Sequence, residues 1–142
     1  MRTLRDESGQ TYLLLKRSDD ASLVRDPRTG EERYLDNDRL EPAEGTSPLE
    51  TEALAVPPAV RRLLTASRDE RSLGLLLLLD DRGPLPVRTL LDAGDYCESD
   101  LHGLLAEFRA AGLVEEQQIA GERGYGTTED ATAALATLTG GD

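Results

Sequence analysis

Cysteine and histidine occur once each, tryptophan not at all, and Lys16 is the sole lysine among 16 basic residues. Each scarcity closes a route. A single thiol, Cys97, excludes a disulfide framework or a multi-thiolate zinc site built by this chain alone. A single histidine leaves no His-based metal site within one subunit, so neither a metal nor another cofactor is expected. The chain has no Gly-rich phosphate loop and no acid pair in an evident pocket, so no catalytic residue can be named and an enzyme is not expected. Long apolar runs are also missing. The longest, Leu73 to Leu79, falls far short of the roughly 20 residues a membrane span needs. Met1-Arg2-Thr3-Leu4-Arg5-Asp6 has no apolar segment behind it of the kind a secretory signal carries. The expectation is a soluble, cytoplasmic protein without a membrane partner.

What is present is acid. In 142 residues, 28 Asp and Glu face 16 Lys and Arg, for a formal net charge of -12. The acids are dispersed along the chain rather than gathered in a tail. Dispersed carboxylates with almost no lysine resemble the proteins of extreme halophiles, in which molar KCl screens repulsion to a Debye length of about 3 Å. On that reading the charge describes the solvent and not the partner. The competing reading is an ordinary acidic protein that meets a basic partner. An acidic surface alone argues against phosphate contacts, which need cations.

The length fits one domain or two small modules, and the pattern along the chain favours two, in an α+β chain. Residues 1–45 read as a small antiparallel β meander. Arg2–Arg5 is a short strand, suited to an edge; Thr11–Arg17 and Leu23–Arg25 follow across turns at Glu7-Ser8-Gly9 and Asp19-Asp20. Asp26-Pro27-Arg28-Thr29-Gly30 is the clearest turn, with Pro27 presetting φ and Gly30 suited to the left-handed position, and Glu32–Leu35 returns. Leu40 is the last buried contact expected here. The alternating Arg and Glu residues form either a solvated face or a surface for a ligand or protein partner. Residues 46–67 read as a helical linker behind the Pro- and Gly-containing stretch 41–47. Ser47-Pro48-Leu49-Glu50 is a capping box with Pro at the first helical position, and that helix ends near Pro57-Pro58. A second helix, 58–66, carries Val60, Leu63 and Leu64 on one face.

Residues 68–142 form the second module. Ser67-Arg68-Asp69-Glu70 is another capping box, opening a helix whose leucines at 73 and 75–79 imply burial on every side. Gly83-Pro84 stops it. Pro86–Asp92 is a short helix, Ala93-Gly94-Asp95-Tyr96 a turn, and 97–111 a third helix with Leu101, Leu104, Leu105 and Phe108 at i, i+3, i+4, i+7. Cys97 takes the place of an N-cap Ser, as a small, partly buried substitute rather than a redox sensor. After Gly112 a strand from Leu113 to Ile119 turns at Ala120–Gly124 and returns from Tyr125. Thr128-Glu129-Asp130 caps a last helix with Ala131, Ala134, Leu135 and Leu138 on one face, and Gly140-Gly141-Asp142 should fray.

Helix, helix, turn, helix, β-hairpin, helix is the order of a helix-turn-helix with a wing. The run Leu104-Leu105-Ala106-Glu107-Phe108-Arg109-Ala110-Ala111-Gly112-Leu113-Val114, then Gly121-Glu122-Arg123-Gly124-Tyr125, then Thr127-Thr128-Glu129, resembles winged-helix regulators of the MarR and PadR types over about residues 68–138. The whole chain also looks like a group of uncharacterised haloarchaeal winged-helix proteins. The resemblance implies double-stranded DNA as partner, with the third helix in the major groove. Its outward residues Ser99, His102, Gly103, Ala106 and Arg109 then face the bases or backbone. Arg123 on the wing reaches phosphate or the minor groove, and Arg88 on the second helix touches backbone. Tyr125 packs beneath the wing. Glu98, Asp100 and Glu107 border the same face, and residues 84–128 hold only three bases, Arg88, Arg109 and Arg123, against eight acids. Two readings therefore stay open: a DNA-binding transcription regulator, or a protein-interaction scaffold without sequence-specific DNA contact. A homodimer through residues 48–66, through 129–138, or through both is expected of the first.

Overall fold

A computed structural model of the chain describes residues 1–140, and the expected fraying at Gly141 and Asp142 lies outside them. The chain is α+β and divides into two compact units at Pro57–Pro58. The segment 46–67, expected to act as one linker, is shared between them.

In the first unit, strands β1 (Arg2–Asp6), β2 (Thr11–Arg17), β3 (Ala21–Arg25), β4 (Glu32–Asp36) and β5 (Leu40–Pro42) make one antiparallel sheet in the order β4-β3-β2-β1-β5. Arg2–Arg5 is not the edge. After a single 3-10 turn (Asn37–Arg39) the chain folds back, pairing Leu4 with Pro42 and Asp6 with Leu40. Part of the stretch 41–47 is thus strand, and within residues 1–45 the last buried residue is Ala43, beyond Leu40; its N–H donates to the Thr3 carbonyl at 3.0 Å. Leu15 is exposed because the β2–β3 register shifts between Leu14 and Lys16, which turns one of three consecutive leucines outward. Leu4, Tyr12 and Val24 form the buried cluster, flanked by Leu14, Leu35 and Leu40. Thr3 and Leu13 stand on the other face, where α1 (Pro48–Glu52) packs. The Ser47–Glu50 capping box is formed, and the buried Thr51 hydroxyl meets that of Thr3 at 2.7 Å.

The second unit begins with α2 (Pro58–Ala66), which buries Val60 and Leu63 but leaves Leu64 54% exposed. Helix α3 (Glu70–Arg82) is capped by Asp69, not Ser67. The Asp69 carboxylate accepts from the Ser72 amide at 2.8 Å and the Ser72 hydroxyl at 2.7 Å, while the Ser67 Oγ is buried without a partner. Burial of the leucine run is one-sided: Leu75, Leu76 and Leu79 are buried, and Leu73, Leu77 and Leu78 only partly. Next, Leu85-Pro86 forms a short strand, β6, and the helix expected from Pro86 starts one residue later, as α4 (Val87–Gly94). Helix α5 (Glu98–Ala110) ends at Gly112, which sits at φ 74° while Leu113 N–H bonds back to the Phe108 carbonyl.

Strands β7 (Val114–Ile119) and β8 (Glu122–Thr127) form the wing, joined by Ala120-Gly121. Both turn residues have positive φ, the geometry of a type I′ hairpin. The sheet is three-stranded, β6-β8-β7. Gly124 makes room for β6, since a Cβ there would collide with Ile119 and with the Leu85 carbonyl. Helix α6 (Glu129–Thr139) is capped by Thr128, whose hydroxyl accepts from the Ala131 amide and donates to the Gly112 carbonyl at 2.7 Å. It buries Ala131, Ala134 and Leu135, packs on α2, and leaves Leu138 46% exposed. Among the described residues no helix is long and apolar enough to cross a membrane.

Candidate nucleic-acid interface

Helix α5 has two unlike faces because of its leucine spacing. Leu101, Leu104, Leu105 and Phe108 are almost wholly removed from solvent. That fixes the rotation of the helix and turns Ser99, Gly103, Ala106 and Arg109 outward, with His102 half-buried. Apart from the helix's own backbone, nothing lies within 4 Å of where a Cβ on Gly103 would stand, so this surface is open at its middle.

The expected residues fall into three places. His102, Ala106 and Arg109 line a groove of about 480 Å³ that is closed on its other side by Arg123 and Tyr125 of the wing. Ser99 and Gly103 border a second cavity of about 460 Å³, toward the start of α3, with Arg68, Arg71 and Tyr96. Arg88 stands apart from both and is joined to the wing strand through Glu122 at 3.0 Å. Cys97 occupies the N-cap position of α5 but is exposed and makes no capping bond there. Its Sγ lies 3.5 Å from the Ser99 hydroxyl.

Arg123 is not a free tip residue. Its guanidinium lies over the ring of Tyr125, 5.7 Å from the centroid, and donates to the Tyr125 hydroxyl at 2.8 Å. Tyr125 is itself buried beneath the wing. The hydroxyl contact first, and then the Tyr125 and Glu116 charges, hold the Arg123 pKa above its ordinary value.

Acids pair with three of the arginines here. Glu116 contacts Arg123 Nε at 2.9 Å through Oε1 and Arg109 Nη1 at 3.1 Å through Oε2. Glu107 reaches Arg68 at 3.3 Å, and the Glu98 carboxylate lies 3.7 Å from His102 Nε2. Beside the second cavity, Arg71 stacks on Tyr96 at 4.2 Å and donates to the carbonyls of Gly94 and Asp95. The Tyr96 hydroxyl is buried with no partner. Residue-type reasoning missed Glu116. The hairpin register was the available signal: a two-residue turn at Ala120-Gly121 pairs Gln118 with Arg123 and Glu116 with Tyr125, setting Glu116 diagonally across from Arg123.

The second unit is therefore a winged-helix domain, preceded in the chain by a five-stranded β unit. The chain belongs to a family of unknown function (DUF7346), whose model matches residues 1–139. No curated protein matches it in sequence. Among solved structures it is similar to HlyU from Vibrio cholerae N16961, at 30% identity and a TM-score of 0.49 over 56% of this chain and 87% of that one. It is similar also to the transcriptional regulator HlyU from Vibrio vulnificus CMCP6, at 30% identity and a TM-score of 0.48 over 56% and 83%. An ArsR family transcriptional regulator is similar at 16% identity, with a TM-score of 0.46 over 60% and 87%.

Proposed function

We propose that this chain is a DNA-binding winged-helix transcription regulator that works in a halophilic cytoplasm. The observation that carries the reading is the groove between α5 and the wing, where His102, Ala106 and Arg109 of the helix face Arg123 of the wing. A recognition helix with small, open residues at its centre and a cation on the adjacent wing suits a major groove and its flanking backbone. In this reading Ser99 and His102 contact base edges or phosphate, and Gly103 and Ala106 allow close approach. Arg109, Arg123 and Arg88 neutralise phosphates.

The MarR- and PadR-like wing pattern and the lysine-poor acidity belong to the same proposal. Molar KCl screens Glu98, Asp100 and Glu107 at the edge of the face and also removes most of the counterion-release gain. Pairing of two chains through residues 48–66, residues 129–138 or both would supply two half-sites, and the exposed Leu64 and Leu138 in those segments support it. Residues 1–45 act as a sensing, partner-binding or packing module.

The experiment is a binding selection on genomic DNA fragments in about 2 M KCl, a salt at which surface charges are screened, with wild type beside Arg123→Ala. Enrichment of a short motif, weakened in the variant, is expected. No enrichment by folded protein would overturn the reading and favour a scaffold that uses the winged helix for protein contacts.

A further inference from the structure

The acid–base pairing of the groove carries a consequence for how it would take a phosphate. Arg109 comes from the last turn of α5 and Arg123 from β8. One carboxylate, Glu116 on β7, serves both, giving one oxygen to each at 3.1 and 2.9 Å. The three side chains remain open to water: Arg109 is 58% exposed, Arg123 51% and Glu116 32%. Exposed ion pairs of this kind are weak and exchangeable. Two guanidinium groups converging on two oxygens of one anion is also the arrangement that binds a phosphate. Tyr125 keeps Arg123 pointing into the groove whichever anion it holds.

We infer that Glu116 is a built-in counterion that occupies the place of a nucleic-acid phosphate between Arg109 and Arg123 and must be released when that phosphate binds. The inference rests on the DNA-binding reading above and adds the residue that regulates it. Two effects follow. Glu116 lowers affinity, because each phosphate contact first breaks a carboxylate contact. It also lowers salt sensitivity. Displacing phosphate counterions normally releases bound cations into solution, but the freed Glu116 takes one up again, so fewer ions are released overall. The second effect suits binding in concentrated salt, where a protein relying on counterion release would lose its grip.

The test measures affinity for a genomic duplex by fluorescence anisotropy across a KCl series, for wild type, Glu116→Gln and Glu115→Gln. Glu115 is the control. It removes the same charge from the next position of β7, on the opposite face of the strand, where its nearest side-chain partner is Gln117. Glu116→Gln is expected to bind about threefold to tenfold tighter, the range set by losing two surface ion pairs. Its plot of log affinity against log salt should be steeper by about one, as expected for one more cation released. Glu115→Gln should change affinity less than about twofold, as a distant screened charge does. In an Arg109→Ala, Arg123→Ala background the Glu116→Gln gain should disappear. Should Glu116→Gln fail to fold by circular dichroism, Glu116→Thr, which suits a strand, replaces it.

Equal effects of Glu116→Gln and Glu115→Gln, with wild type binding DNA, would overturn the counterion role and leave the DNA reading standing. Absence of binding by every folded variant would remove the DNA reading itself, and the counterion role with it.

Discussion

The two units are stabilised by different means. The first buries few large side chains: Leu4, Tyr12, Leu13 and Val24 are its main apolar core. Polar contacts support them. Asp6 gathers the Ser8 amide, the Ser8 hydroxyl and the Gln10 amide into the β1–β2 turn, and Thr3 meets Thr51 between sheet and helix. The second unit closes around Leu63, Leu76, Leu79, Leu90, Leu101, Leu105, Phe108 and Leu113. Such a core fixes the rotation of α5 without using its outer face. The outer residues take no part in that core; Arg109 and Glu107 make exposed ion pairs with Glu116 and Arg68, of the same kind as those of Arg25, Arg28 and Arg39 with Glu52, Asp26 and Glu7 in the first unit.

Substitutions can break this contrast, and the largest effect belongs to the leucine core. Phe108→Ala, which empties the centre of the second unit, should cost about 3–5 kcal/mol. Amide hydrogen exchange reads the units separately, and protection should fall in α3, α5 and α6 first. In the first unit the sensitive element is polar. Thr51→Val strands the buried Thr3 hydroxyl and should cost about 1–3 kcal/mol, while the double change Thr3→Val, Thr51→Val should recover most of it. Chemical denaturation followed by circular dichroism would give both values.

A smaller effect concerns pH. The Asp6 carboxyl is held below its ordinary value, chiefly by the Ser8 hydroxyl, and Asp69 likewise, chiefly by the Ser72 amide. A depressed carboxylate adds stability that is complete above its unfolded pKa, near 3.8. That stability is lost as pH falls through the lower folded value. Asp6→Asn should flatten the acid limb of the first unit's stability curve, and Asp69→Asn that of the second, with neither altering stability's slope near pH 7.

The contrast also marks what could be read from the residues. The elements of the second unit follow from leucine spacing and turn chemistry, and α5 lies within a residue or two of its expected limits. The missed pieces are short and non-local. Glu41-Pro42 looks like a linker because neither residue carries a strand signal; pairing of Leu40–Pro42 with β1 is what makes it a strand. Leu85-Pro86 is two residues held against β8, possible only because Gly124 has no side chain. Ser67 and Asp69 are both capping residues by type, and Ser72 decides between them by donating twice to Asp69. At the candidate interface, residue type singled out Arg109 and Arg123 as expected contacts but not the acid they share, since ion pairing depends on the register that brings Glu116 to both.

The claim at the centre is that the open face of α5 meets DNA, and Gly103→Glu tests it most directly. A side chain at 103 enters empty space, and replacing a helical Gly should leave stability unchanged or raise it by up to about 1 kcal/mol. The measurement is the affinity of this variant for a selected duplex, beside wild type, at matched salt and with both proteins shown to be folded. The expected result is a loss of at least about tenfold, because the carboxylate is set against the groove. Binding equal to wild type by a folded Gly103→Glu protein would contradict the account.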